Sequence, residues 1–367
     1  SISICEVDSV NKIRVLVVDD SAFMRKVITD ILISDDEIEV VDTAMGGIWA
    51  LEKLKKLDVD VVTLDVEMPR MDGVEALKKI NEIYGIPVVM LSSYTTAGAD
   101  IIIKALELGA FDFVLKPSLG TNFDADKLKT ELIKSVKLCF ESRNRNKLLS
   151  KMAGSSNDSK TGNFKKYKSG IRLNDIKAVC IAASTGGPKA LSKVIADFPS
   201  DFKLPVLVVQ HMPAGFTKAF AARLDSISKL KVKEAQDGDD IKKGWVYIAP
   251  GGFHMLVEGR RIKLNQDPPM HGVRPCADKL FISAAENIGG RIIGIVLTGM
   301  GKDGTMGLEA ISRHGGVCIA EDESTCTIFG MPKSAIEKGV VNIVAPIDRI
   351  AQEVLQVLDS EGCNCGK

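Results

Sequence analysis

Charge of one sign is missing from this chain: 48 Lys and Arg stand against 48 Asp and Glu over 367 residues, for a formal net charge of zero. Without a basic excess there is no field to gather nucleic acid or to hold an anionic membrane surface. Long apolar runs are missing too. None approaches the roughly 20 residues of a membrane-spanning helix, so no membrane insertion is expected. The opening stretch "SISICEVDSVNK" lacks the charged-then-apolar layout of an export signal. The eight cysteines are scattered, and Cys180 and Cys318 sit in apolar runs, as buried thiols do. That usage fits a reducing cytoplasm, not a disulfide framework, and a cytoplasmic location is expected. Cys363 and Cys365, in "CNC", form the one close pair. Two ligands make a weak metal signal, and the pair reads as part of a loose tail. Histidine is scarce, with four copies.

What is present is alternation. The length predicts two domains. Residues 13–143 carry five strand-like segments rich in Val, Ile and Leu: "IRVLVVD", "IEVVDTA", "VDVVTLD", "IPVVMLS" and "FDFVLK". Continuous apolar runs of this length are those of strands buried on both faces. Helical patterns separate them, and a longer one, "DADKLKTELIKSVKLCFESR", closes the set. The pattern predicts a doubly wound α/β domain over residues 1–143, its active edge at the carboxyl ends of the strands. Residues 144–172, rich in Ser, Asn, Gly and Lys, read as a solvated linker. Residues 173–358 resume alternation. "AVCIAAS", "LPVLVVQ" and "RIIGIVLTG" read as buried parallel strands, and "HMLVEGRRIKLN" as an antiparallel hairpin turning at Glu258 and Gly259. The expectation is a second, mainly parallel α/β domain, with a flexible tail over 359–367.

In the first domain, polar residues cluster at four strand ends. Asp19 and Asp20 end the first strand, Asp65 the third, Ser92 the fourth and Lys116 the fifth. In a doubly wound fold these ends converge on one crevice. Clustered carboxylates repel, and a hard divalent cation such as Mg²⁺ relieves the repulsion. A cation and an ammonium beside a carboxylate suit phosphoryl transfer onto that carboxylate. An Asp-Asp pair alone reads equally well as a helix cap.

"VLVVDDSAFMR", "LDVEMPRMDG", "MLSS" and "DFVLKPS" resemble the receiver domain of bacterial response regulators. The resemblance implies a flavodoxin-like fold with Asp65 as phospho-acceptor and Asp19, Asp20 and Asp65 as the Mg²⁺ set. It further implies that Lys116 contacts the phosphate, that Ser92 and Phe113 are the switch pair, and that a histidine kinase is the phosphodonor.

A receiver leaves open what is regulated. No basic helix-turn-helix follows it, which argues against a transcription factor. Ser184 ends a strand-like run and precedes "TGGPKALSKVIADF"; Gly186 and Gly187 permit a tight turn, and Pro188 suits a first helical position. Such a turn suits a nucleophile beside an oxyanion hole, a phosphate cradle, or a plain strand-to-helix corner. It matches neither G-x-S-x-G nor G-x-x-x-x-G-K-[ST]. A nucleophile needs a base, and of the four histidines only His211 lies at the carboxyl end of a buried parallel strand. His254, His271 and His314 read as satisfied core or surface positions. An orienting acid is at hand in Asp303, just past a third buried strand, although Asp303 could also cap the helix that follows.

"AASTGGP", "QHMP", "APGGFHM" and "LTGMGKDG", in this order, resemble the chemotaxis protein-glutamate methylesterase family, a receiver joined by a linker to an α/β esterase. The resemblance implies a triad of Ser184, His211 and Asp303, with Thr185 near the site and backbone around Met300 serving the oxyanion. It implies glutamate γ-methyl esters on chemoreceptor cytoplasmic helices as substrate, deamidation of receptor glutamines as a second activity, and no cofactor for the ester chemistry. Regulation would be steric, the unphosphorylated receiver covering the cleft. "GVRPCADKLF" resembles a family segment near the cleft, with Cys276 where serine is common, and Cys276 is assigned no role. The competing reading is an adaptor whose second domain binds a ligand without turnover; it would use the Ser184 turn as a phosphate nest and leave His211 and Asp303 unexplained.

Overall fold

The computed structural model describes residues 12–93, 96–116, 125–153, 176–288 and 291–359. Most of the expected linker and residues 360–367 of the expected tail, with Cys363 and Cys365, lie outside these residues. The chain divides into two compact units, Ser1–Ser150 and Lys151–Lys367.

The first unit runs β1 (Ile13–Val18), α1 (Ala22–Ile33), β2 (Ile38–Ala44), α2 (Gly47–Leu54), β3 (Val61–Asp65), α3 (Gly73–Tyr84), β4 (Val88–Ser93), α4 (Thr96–Glu107), β5 (Asp112–Lys116) and α5 (Ala125–Ala153). Its five strands are all parallel, in the order β2-β1-β3-β4-β5. The expected receiver architecture is therefore present, strand for strand. The order reverses between β1 and β3, so the ends of these two strands, Asp19 and Asp65, flank the crevice where such sheets bind ligands. One expectation fails. The helix predicted to stop near Arg143 continues as α5 to Ala153, through residues assigned to the linker. No proline or glycine interrupts "NRNKLLSKMA", and its Lys, Arg, Leu and Met are good helix formers. Arg143 is also pinned inside the helix, donating to the carbonyls of Val59 and Asp60.

The second unit runs β6 (Ile176–Ala183), α6 (Gly187–Asp197), β7 (Val206–Gln210), α7 (Phe216–Ile227), β8 (Lys231–Glu234), β9 (Trp245–Ile248), β10 (His254–Glu258), β11 (Arg261–Asn265), α8 (Ala277–Asn287), β12 (Arg291–Val296), α9 (Thr305–Arg313), β13 (Val317–Glu321), α10 (Met331–Glu337), β14 (Ile343–Ala345) and α11 (Ile350–Asp359). Seven strands form one parallel sheet, ordered β14-β13-β12-β6-β7-β9-β8, and β10-β11 is the expected antiparallel hairpin, a separate ribbon. The helices bury their apolar faces on this sheet; Phe198, Phe216, Phe220 and Phe281 are all buried. Chain order reverses at β6: β7 lies on one side of it and β12 on the other. The three strands expected to carry Ser184, His211 and Asp303 are thus central neighbours.

Backbone crowding at Asp65 explains one glycine. Gly73 follows Asp72, whose side chain caps α3, and its N–H donates to Val66 O. A Cβ on Gly73 would lie 2.2 Å from the Asp65 carbonyl oxygen, a backbone atom that cannot yield. Gly73→Ala is expected to destabilise the first unit by about 1–3 kcal/mol, an overpacking cost. A denaturant melt checks this, and an unchanged midpoint would contradict the crowding.

Candidate functional sites

In the first unit, parallel strands with aligned ends bring five of the predicted residues to one edge. Asp19 is fully buried, Asp65 is 4% exposed, and Lys116 reaches between them. Its Nζ lies 2.6 Å from Asp19 Oδ2 and 2.7 Å from Asp65 Oδ2. Asp20 is exposed, yet Asp19, Asp20 and Asp65 each offer an oxygen within 4.8 Å of the others. Three hard oxygen donors this close together fit Mg²⁺. Burial pushes the Asp65 carboxyl up to about 6; the Lys116 ammonium pulls it back, and Asp19 adds to the rise. The Asp-Asp capping alternative also finds its answer. Ser21 caps α1 by accepting from Met24 N, while Asp19 accepts from Ser21 N. Ser92 is buried next along the edge, its Oγ donating to Ser93 O, and Phe113 is half-buried on β5.

In the second unit, strand register carries the argument. Ala183 pairs with Gln210, so Ser184 and His211 leave neighbouring strands at the same level. The His211 N–H donates to Ala183 O, and Gln210 Nε2 donates to the carbonyls of both Ser184 and His211. On the other flank Ser184 N–H donates to Thr298 O, just past β12. Gly186 takes φ +79°, and a Cβ on Gly187 would meet Gln210 Oε1 at 2.0 Å, so the tight turn needs both glycines.

His211 Nε2 lies 2.7 Å from Asp303 Oδ2. Asp303 is 2% exposed and collects donors from the start of α8: the Ala277 N–H at 2.7 Å, the Asp278 N–H at 2.9 Å and the Cys276 thiol at 3.0 Å. Gly304 N–H donates as well. Burial alone would push this carboxyl up; His211 above all, with the thiol and the Ala277 amide, outweighs burial and holds it at about 2. The alternative that Asp303 caps the helix after it does not hold. Asp303 instead accepts from the first amides of α8, whereas α9 has Gly304 at its N-cap and no side-chain cap bond. Ser184 is half-buried, and among the described residues no hydrogen bond joins its Oγ to His211. Thr185 is half-buried, and its carbonyl accepts from Thr298 Oγ1. Met300 is half-buried, and among the described residues its N–H has no protein acceptor.

The remaining histidines each make one polar contact, although the buried Nδ1 of His254 has no partner among the described residues. His254 is buried with Nε2 3.2 Å from Pro268 O, His314 Nδ1 meets Ala310 O at the end of α9, and His271 pairs with buried Asp278 at 2.8 Å. Sequence reasoning missed three supports: the Cys276 thiol on Asp303, the Gln210 amide locking two carbonyls, and Glu321, which accepts from Thr298 N–H. Gln210 lies in "QHMP" and Cys276 in "GVRPCADKLF", whereas nothing in the sequence pointed to Glu321.

Two family models match the chain: the CheB methylesterase over residues 179–354 and the response regulator receiver domain over residues 15–130. A protein-glutamate methylesterase/protein-glutamine glutaminase of Pyrococcus horikoshii is 49% identical over 358 residues, covering 95% of this chain and 94% of that protein. One of the same name from Clostridium acetobutylicum is 48% identical, covering 95% and 98%. The crystal structure of the Thermotoga maritima CheB methylesterase catalytic domain is 46% identical over 50% of this chain and 98% of its own, with a TM-score of 0.48. Among the described residues no helix is long and apolar enough to cross a membrane.

The raised Asp65 value has a sign that can be tested. A carboxyl pushed up by folding costs stability as pH rises from about 4 through about 6, and the cost stays above that. Asp65→Asn removes it, so without divalent cations the first unit should gain on the order of 2 kcal/mol near pH 7.5. The gain should shrink toward about pH 4 in calorimetry; a gain independent of pH would contradict the burial argument.

Proposed function

The chain belongs to the CheB methylesterase family, with a receiver domain ahead of the esterase, and on that premise we propose that Ser184, His211 and Asp303 are its catalytic triad. The observation that carries this reading is the 2.7 Å contact of His211 Nε2 with a buried, donor-saturated Asp303, one strand from Ser184. With Nε2–H donated to Asp303, the lone pair on Nδ1 is the base. Ser184 Oγ attacks the γ-ester carbonyl of a methylated receptor glutamate as Nδ1 takes its proton. The resulting oxyanion is met by backbone amides, for which Met300 N–H is the candidate without a protein acceptor. Collapse breaks the C–O bond to methanol, which leaves with the proton from Nδ1. Water then attacks the acyl-enzyme, gives a proton to the same nitrogen, and Ser184 departs with it. The same steps with ammonia as leaving group deamidate glutamine, the second activity in the names of the relatives. Because Asp303 sits near 2, it stays ionised throughout the working range and the imidazolium keeps its counter-charge.

The receiver regulates this chemistry through Asp65. A Mg²⁺ held by Asp19, Asp20 and Asp65 would supply the charge that neutralises the incoming phosphoryl oxygens. Lys116 contacts the phosphoryl group, a role supported by its ion pairs with Asp19 and Asp65. Ser92 and Phe113 form the switch pair. The kinase of the chemotaxis pathway is the donor, and the chemoreceptor helices are the substrate.

Methanol release from methylated receptor membranes tests the triad. Ser184→Ala is expected to lower it by a factor on the order of 10³ or more, with Asp303→Asn also strongly impaired. Equal release by Ser184→Ala and wild type would overturn the esterase assignment of this turn. A small phosphodonor with Mg²⁺ should raise the wild-type rate, and Asp65→Asn should remove the rise while keeping the basal rate. An unchanged wild-type rate would remove the regulatory reading and leave the triad standing.

A further inference from the structure

Glu321 ends β13 with only 1% of its surface exposed, and among the described residues no cation pairs with it. A lone buried carboxyl is expensive. Burial pushes this one up to about 7; the Thr298 N–H, Thr325 and Cys326 pull it down, and Asp322 adds to the rise. The chemistry of the triad does not use it, so its cost needs another reason.

Its contacts supply one. Glu321 Oε2 accepts from Thr298 N–H at 2.8 Å, and Oε1 accepts from Thr325 Oγ1 at 3.0 Å. Thr298 then distributes that anchor. Its carbonyl accepts from Ser184 N–H at 3.0 Å, its Oγ1 donates to Thr185 O at 3.0 Å, and the same Oγ1 accepts from Ile328 N–H at 2.9 Å. Every polar group of Thr298 is engaged, and its partners are the nucleophile turn, the loop after β13 and Glu321. Gly299 N–H donates to Ile328 O, which carries the tie to the residue before Met300.

We propose that Glu321 is a positioning residue for the nucleophile: its carboxyl group fixes Thr298, and through Thr298 it fixes the backbone of Ser184 and Thr185. The proposal rests on Ser184 being the nucleophile. Anchoring matters here because the Ser184 hydroxyl is held by no hydrogen bond to His211 in this structure, so its placement depends on the backbone beneath it.

A fluorophosphonate probe, which labels activated serines, reads the placement in the full-length protein. Glu321→Ala should slow the maximal labelling rate about tenfold or more, with the half-saturating probe concentration within about twofold. Glu321→Gln, which keeps an acceptor oxygen and drops the charge, should label at close to the wild-type rate. If Glu321→Ala does not fold, Glu321→Asp, one methylene too short to reach Thr298 N–H, should show the same slow labelling. Thr298→Val cuts the tie to Thr185, and in a double-variant cycle with Glu321→Asp the two losses should be far from additive. Labelling of folded Glu321→Ala or Glu321→Asp at the wild-type rate, or additive losses, would overturn the proposal alone. A wild type that is not labelled, or Ser184→Ala labelled equally, would overturn the triad and this proposal with it.

Discussion

Burial sets the cost of a carboxylate, and the donors aimed at it decide whether that cost is met. Three buried acids at the carboxyl ends of parallel strands divide the possibilities. Asp303 gathers three backbone amides, a thiol and an imidazole, and is driven to about 2. Asp65 has one ammonium, shared with Asp19, and a backbone amide from Glu67, and sits near 6. Glu321 has an amide, a hydroxyl and the Cys326 thiol, with no cation among the described residues, and sits near 7. An acid that must stay charged to orient a base is supplied with donors. On the proposed roles, the phospho-acceptor is the less compensated acid, which leaves it room for a metal and a phosphate.

The sheet makes such convergence possible. Parallel strands end together, and at a reversal of strand order the loops diverge and leave a crevice. In the first unit the reversal lies between β1 and β3, and Asp19 and Asp65 flank it. In the second it lies at β6, so Ser184 stands between His211, from one neighbour, and the β12 loop, from the other. The same topological rule thus serves both sites, with different side chains at the strand ends.

That rule explains what was legible in the sequence. Apolar runs marked eight of the strands, β1 to β7 and β12, and polar residues at or after the ends of several of these runs marked the sites. Asp19, Asp65, Ser184, His211 and Asp303 all follow such runs directly or within one loop. Three kinds of information were not legible. Strand β8, "KVKE", lies at the sheet edge, and half-exposed edge strands carry little apolar signal. The length of α5 depended on the absence of a breaker before Ala153, which composition averaged over 144–172 concealed. The supports of Asp303 and Thr298 are long-range: Cys276 is 27 residues from Asp303, and Glu321 is 23 from Thr298. Nothing local requires a thiol or a carboxyl at those positions, because the need arises only when two loops meet.

The turn "ASTGGP" shows how these layers combine. Alone it permits a nucleophile, a phosphate cradle or a corner. A phosphate cradle needs amides turned toward an open cavity and a helix start left uncommitted. Here the Gly187 N–H is spent on the Ser184 carbonyl, the Ser184 N–H on Thr298 O, and the Ser184 carbonyl also takes a donor from Gln210. Both backbone groups of Ser184 are engaged, and among the described residues its hydroxyl has no hydrogen-bond partner. Such an arrangement favours attack on a carbonyl over retention of an anion, since binding a phosphate would first require breaking the bonds that hold the serine in place.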